Sequence, residues 1–153
     1  MSNTEMSYVL SIGILDLTNG FERIQLLGSS SELARSHPPS RPSECDIRFI
    51  LGASSRYALQ SNSYLTIFLD AHDQQRHLPA ERYQVRCQRS CNAADFALWA
   101  NQLITALATP FSQQALLCTD LADLRIALHS ARSRSLIARS FRVTDEVFAS
   151  QTE

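Results

Sequence analysis

Four short apolar runs precede the first sustained helical stripe in this chain, and that order narrows its folding options more than any other feature. Residues 8–15 (YVLSIGIL), 45–51 (CDIRFIL), 63–71 (SYLTIFLDA) and 82–89 (RYQVRCQR) have the length and the β-branched and aromatic content of strands buried in a sheet. The fourth run alternates with period two through Tyr83, Val85 and Cys87. The polar stretch 73–79 reads as the link of a hairpin-like pair formed by the third and fourth runs. From residue 92 to residue 108 the period changes. Phe96, Trp99, Ala100, Leu103 and Leu107 form one apolar stripe, Asp95, Gln102 and Thr105 lie off it, and Pro110 marks the end of the helix. A second helix is expected from residue 120 to about residue 131, with Leu121, Leu124 and Leu128 turned inward, and a last strand over 135–143.

Near the start, Thr18, Asn19 and Gly20 punctuate the first run. Asn19 with Glu22 three residues later has the form of a capping box, which predicts a helix carrying Phe21, Ile24 and Leu27 on its apolar face. Residues 37–42 (HPPSRP) cannot continue that helix and read as a loop. The whole pattern predicts an α/β fold: a single domain over 1–153, with a mixed β-sheet, packed helices including one long central helix, and frayed termini at about 1–6 and 146–153.

Charge removes several function classes. All 14 basic residues are arginine, so Schiff-base chemistry, a phosphate-loop lysine and a lysine general base are absent together. A net charge of −1 argues against nucleic-acid binding driven by phosphate contacts. No apolar run reaches the length of a membrane span, and the first residues lack a signal-peptide core, so the expected location is the cytoplasm. Cys45, Cys87, Cys91 and Cys118 are then expected as thiols.

His72, His77, Cys87 and Cys91 are the nearest approach to a metal set, with H-x4-H and C-x3-C spacings and donor types that zinc accepts. The same four residues also read as two surface histidines and two core cysteines. No nucleophile elbow or catalytic cysteine signature occurs, so no catalytic residue and no cofactor are assigned. Arg125, Arg132, Arg134, Arg139 and Arg142 read either as a solvated helix face and strand edge or as a patch for an acidic protein.

Residues 117–128 (LCTDLADLRIAL) resemble the synergy-loop signature of the bacterial tubulin homologue FtsZ, N-x-D-F-A-D-V followed by a helix. Asp120, Ala122 and Asp123 match, Leu121 and Leu124 replace other apolar residues, and Cys118 stands where the family has asparagine. Residues 94–98 (ADFAL) resemble the family's A-D-D-V-L, which puts Asp95 in the place of a guanine-contacting aspartate. Phe21, Glu22 and Arg23 are similar to F-E-G-x-R opening a helix, and residues 46–51 (DIRFIL) to the strand D-T-L-I-V-I. The four pieces occur in the family's order and cover about half the chain.

The departures bear on activity. The family's glycine-rich phosphate loop has no counterpart: Gly13, Gly20, Gly28 and Gly52 are the only glycines, and no two are close. The resemblance therefore implies a non-enzymatic FtsZ- or tubulin-like module that docks on a protein partner, FtsZ-like or a second copy, without GTP hydrolysis of its own. Its interface would hold Asp120, Asp123 and Arg125, with Asp95 a vestigial nucleotide contact. Taken alone, the two acids read more simply as cap residues satisfying a helix start. A structural subunit of a larger cytoplasmic assembly and a small zinc-binding protein or enzyme are the alternatives.

Overall fold

The computed structural model describes residues 11–19, 23–27, 45–58, 63–79, 81–112, 121–130 and 135–138. Its framework is one six-stranded mixed sheet in the order β2-β1-β3-β4-β5-β6. The strands are β1 (Ile12–Asp16), β2 (Arg23–Leu27), β3 (Ile47–Leu51), β4 (Leu65–Asp70), β5 (Arg82–Cys87) and β6 (Ser135–Ala138), and two helices, α1 (Ala93–Ser112) and α2 (Leu121–His129), lie between β5 and β6 in the chain. Five strands run parallel, and β2 pairs antiparallel with β1. Every residue of β3 and β4 is buried, which is why those strands read as largely apolar runs: a parallel strand in mid-sheet is covered on both faces. The expected α/β class, mixed sheet and packed helices are all present.

The two faces are covered differently. On one, Ile12, Ile14, Phe49, Ile67, Leu69 and Val85 meet Ala100, Ile104 and Ala108 of α1 and Leu128 of α2. Alanines at two of the three deepest α1 positions let the helix lie close against the strands. Leu121 and Leu124 pack on the same core, in agreement with their expected inward direction. On the other face Leu15, Ile50 and Phe68 are covered by Ala53, Tyr57 and Leu78 from the loops after β3 and β4. Arg48, Thr66 and Gln84 belong to that loop-covered face by strand alternation and are buried. Burial holds the Arg48 guanidinium below its usual pKa.

Three expectations need correction. The helix from Asn19 is not formed; residues 23–27 are strand β2, in register from Ile12↔Leu27 to Asp16↔Arg23. The Asp16 carboxylate accepts hydrogen bonds from the Thr18 amide (2.9 Å) and hydroxyl (2.5 Å), so the chain turns there before a helix can start. The strand placement also removes the helix from the F-E-G-x-R likeness; Phe21 and Glu22 lie outside the described residues. The hairpin-like pairing of the third and fourth runs is replaced by parallel pairing of β4 with β5.

Finally, α1 runs past the expected end at residue 108 to Ser112. Pro110 lacks an amide hydrogen and so withholds a bond only from the Ala106 carbonyl in the last turns, which the helix tolerates. Pro110 is therefore a residue of the helix rather than its terminator. The expected frayed termini and the last strand beyond Ala138 lie outside the described residues. No helix among the described residues is long and apolar enough to cross a membrane.

Candidate functional site

Parallel strands deliver their carboxyl ends to one edge of a sheet, and in open α/β sheets ligand crevices form there. Asp16 ends β1, Gly52 follows β3, and Leu69 and Asp70 end β4. Together with Gln74 and Phe96 they line an open crevice of about 520 Å³. The α1 wall begins at Asn92, whose side-chain oxygen caps the helix by accepting the Asp95 amide at 2.8 Å. Gly52 sits at φ +67°, and a Cβ there would meet backbone atoms of Thr18 at 2.8 Å. Only glycine lets the end of β3 lie so close to the β1–β2 turn. The crevice thus has a carboxylate, amide side chains and one aromatic ring, a lining suited to a small polar molecule.

A buried ion pair fixes one wall. Arg76, from the loop after β4, donates through Nε to Asp70 Oδ2 at 2.6 Å and through Nη2 to Oδ1 at 2.8 Å, with side chains 3% and 0% exposed. The guanidinium also donates to the carbonyls of Ser54 and Ala53 and stacks over Phe68 at 4.5 Å. Gln84 donates to Asp70 Oδ2 (2.7 Å) and to the Gln74 carbonyl (2.8 Å), and Gln74 donates to the Ala53 carbonyl (2.9 Å). This network ties the loops that follow β3 and β4 to the sheet.

The residues singled out from the sequence are dispersed. Asp95 is exposed in the first turn of α1 and is not among the residues lining the crevice. Asp120 lies outside the described residues, while Asp123 is exposed in the first turn of α2. Arg125 turns back onto its own fold: Nη2 reaches Glu81 Oε1 at 2.5 Å, Nη1 reaches Tyr64 Oη at 3.1 Å, and the guanidinium lies 5.4 Å from the Tyr64 ring centre. Those bonds, to Glu81 first, raise its pKa further.

Beyond it, Ala122, Arg125, Ile126, His129 and Ser130 frame a shallow recess of about 460 Å³, and Ile126 is 66% exposed. Behind the helix, His129 Nδ1 lies 3.3 Å from Tyr83 Oη. Of the arginines beyond Arg125, none is among the described residues.

The four metal candidates do not assemble. Cys87 and Cys91 place their sulfurs 3.6 Å apart, and His72 Nδ1 donates to the Cys87 carbonyl at 3.2 Å. His77 is exposed on the loop after β4. Among the described residues no group of three or more histidine, cysteine or acidic side chains could hold a metal ion. The crevice residues Asp16, Gly52, Gln74 and Asn92 were missed from sequence. Only Asp16 had a local signal, as the acidic residue that closes an apolar strand run, a place Asp70 takes in β4. Compared with known proteins, the chain matches no family model, no curated protein and no solved structure.

Proposed function

We propose that this chain is an FtsZ- or tubulin-like docking module that binds a protein partner, FtsZ-like or a second copy of itself, through the outward face of α2, and does not hydrolyse GTP. One observation carries the reading: Ile126 stands 66% exposed on a helix that already buries Leu128 on its other side, within a recess framed by Ala122 and His129. Covering such a side chain contributes about 1.5–3 kcal/mol, enough to act as a central anchor. Exposed Asp123 on the preceding turn supplies charge at the rim, and the likeness of residues 117–128 to a synergy loop supports an inter-subunit role for the same end of the helix. Arg125, held by Glu81 and Tyr64, supports the helix against the sheet and frames the recess. A structural subunit of a larger assembly would use the same face and differ only in its partner.

The test is a titration of the chain with purified FtsZ, beside sedimentation equilibrium of the chain alone at about 100 µM. Association is expected in one of the two, weakened about tenfold or more by Ile126→Asp with no change in unfolding midpoint. GTP with magnesium gives no heat of binding in the same preparation. Absence of both associations, or equal affinity for the Ile126→Asp variant, overturns the proposal.

A further inference from the structure

The chain holds two thiols in contact at a point where strand β5 hands over to helix α1. Cys87 is the last residue of β5 and is 4% exposed; Cys91 is half-buried, lines the crevice and immediately precedes the cap residue Asn92. The Cys91 thiol donates to the Cys87 sulfur across 3.6 Å. A disulfide requires a sulfur separation of about 2.05 Å, so closure needs an approach of roughly 1.5 Å. The residues between them, 88–90, form a bend outside the strand and the helix, which can absorb that movement without breaking a strand pair.

We propose that Cys87 and Cys91 are a redox-responsive dithiol, converted to an intramolecular disulfide by a low-molecular-weight disulfide of the glutathione-disulfide class, and that closing it shifts the first turn of α1 at the crevice.

The two thiols have different parts. Burial first, and then the close Cys91 thiol, push Cys87 up to about 12, so it is held as the thiol. Cys91, reachable from the crevice, is the thiol that attacks first. Its thiolate attacks one sulfur of the oxidant, forming a mixed disulfide and expelling one small thiolate, which takes up the proton. Cys87 then gives up its proton, attacks the Cys91 sulfur and expels the second small thiolate. Two protein S–H groups become one S–S bond, and the oxidant's S–S bond becomes two thiols. Cys45, 1% exposed at the entrance to β3, is shielded from this exchange.

The experiment treats the folded chain with oxidised glutathione, quenches with acid, alkylates in denaturant and maps tryptic peptides. Cleavage after Arg86, Arg89 and Arg125 separates peptide 87–89 from peptide 90–125, so the disulfide appears as those two peptides joined, lighter by two hydrogens than their sum. The joined species is expected in the wild type and in Cys45→Ser, and not in Cys91→Ser. Emission of the single tryptophan, Trp99, should shift on oxidation and return on reduction, since its ring packs 5.5 Å from Phe96 on the crevice wall. Recovery of both cysteines alkylated, or of a persistent glutathione adduct on Cys91 without the joined peptides, overturns the dithiol. Formation of the joined peptides with Trp99 emission unchanged overturns the coupling to α1.

Discussion

Replacing Arg76 by methionine should destabilise the chain more than any other change at a loop position among the described residues. The guanidinium is 3% exposed and answers the Asp70 carboxylate, itself 0% exposed, with two bonds of 2.6 and 2.8 Å. Methionine keeps an aliphatic stem against Phe68 but leaves the carboxylate with only the Gln84 amide, and it removes the Arg76 bonds to the Ser54 carbonyl and to the Ala53 carbonyl, which keeps its bond from Gln74. Breaking a buried pair from one side costs about 3–5 kcal/mol, because the remaining charge has lost both water and its counter-ion. With a urea slope of about 2 kcal/mol per molar, the midpoint should fall by roughly 2 M. Removing both charges in Arg76→Met/Asp70→Leu should recover most of that loss, giving a coupling energy of about 2 kcal/mol or more in the double-mutant cycle. Urea unfolding followed by Trp99 emission reads all four members of the cycle. A loss under about 1 kcal/mol for Arg76→Met, or additive single losses, would refute the view that this pair holds the loop after β4 to the sheet.

Gly52→Ala should destabilise by about 1–3 kcal/mol in the same assay, since φ +67° disfavours any Cβ and the clash involves Thr18 backbone atoms as well as its side-chain methyl; a neutral effect would mean that the β1–β2 turn can move. Trp99→Ala should cost about 1–3 kcal/mol, less than a fully buried tryptophan, because Trp99 flanks the stripe centred on Ala100, Ile104 and Ala108. Cys87 is protonated more tightly in the folded than in the unfolded chain, so its contribution is complete below about pH 9 and is lost as pH rises toward about 12. Under reducing conditions, stability between those pH values should fall more steeply in the wild type than in Cys87→Ala, by up to about 1.4 kcal/mol per pH unit. Parallel curves would contradict that assignment, and the absence of lysine keeps the comparison simple.

Much of the fold could be read from residue order because burial on both faces leaves an apolar run, as in β3 and β4, and a sheet-packed helix leaves a 3.6-residue stripe, as in α1. Strand β2 escaped because RIQLL carries no decisive period, and a local capping pattern at Asn19 competed with antiparallel pairing onto the preceding strand β1. The direction of β5 escaped for a similar reason. Arg76, reaching Asp70, Ala53 and Ser54, holds the loop after β4 against the sheet, and no local spacing records those contacts. The crevice depends on that loop, so it could not be read before the strand directions were known. The C-x3-C spacing did reveal a cysteine pair, but the histidines attached to it by spacing belong elsewhere. On α2 the inward leucines were readable, whereas the engagement of Arg125 by Glu81 and Tyr64 required the three-dimensional fold.

The central claim, docking through the start and outer face of α2, is tested most directly by Asp120→Asn/Asp123→Asn. Asparagine caps a helix about as well as aspartate, so the double change preserves the helix start while removing both charges. An unfolding free energy within about 0.5 kcal/mol of the wild type is expected, together with loss of association with FtsZ or with the second copy, whichever binds the wild-type chain. A variant that folds normally and binds that partner with unchanged affinity would contradict it and leave these acids as residues of a helix start.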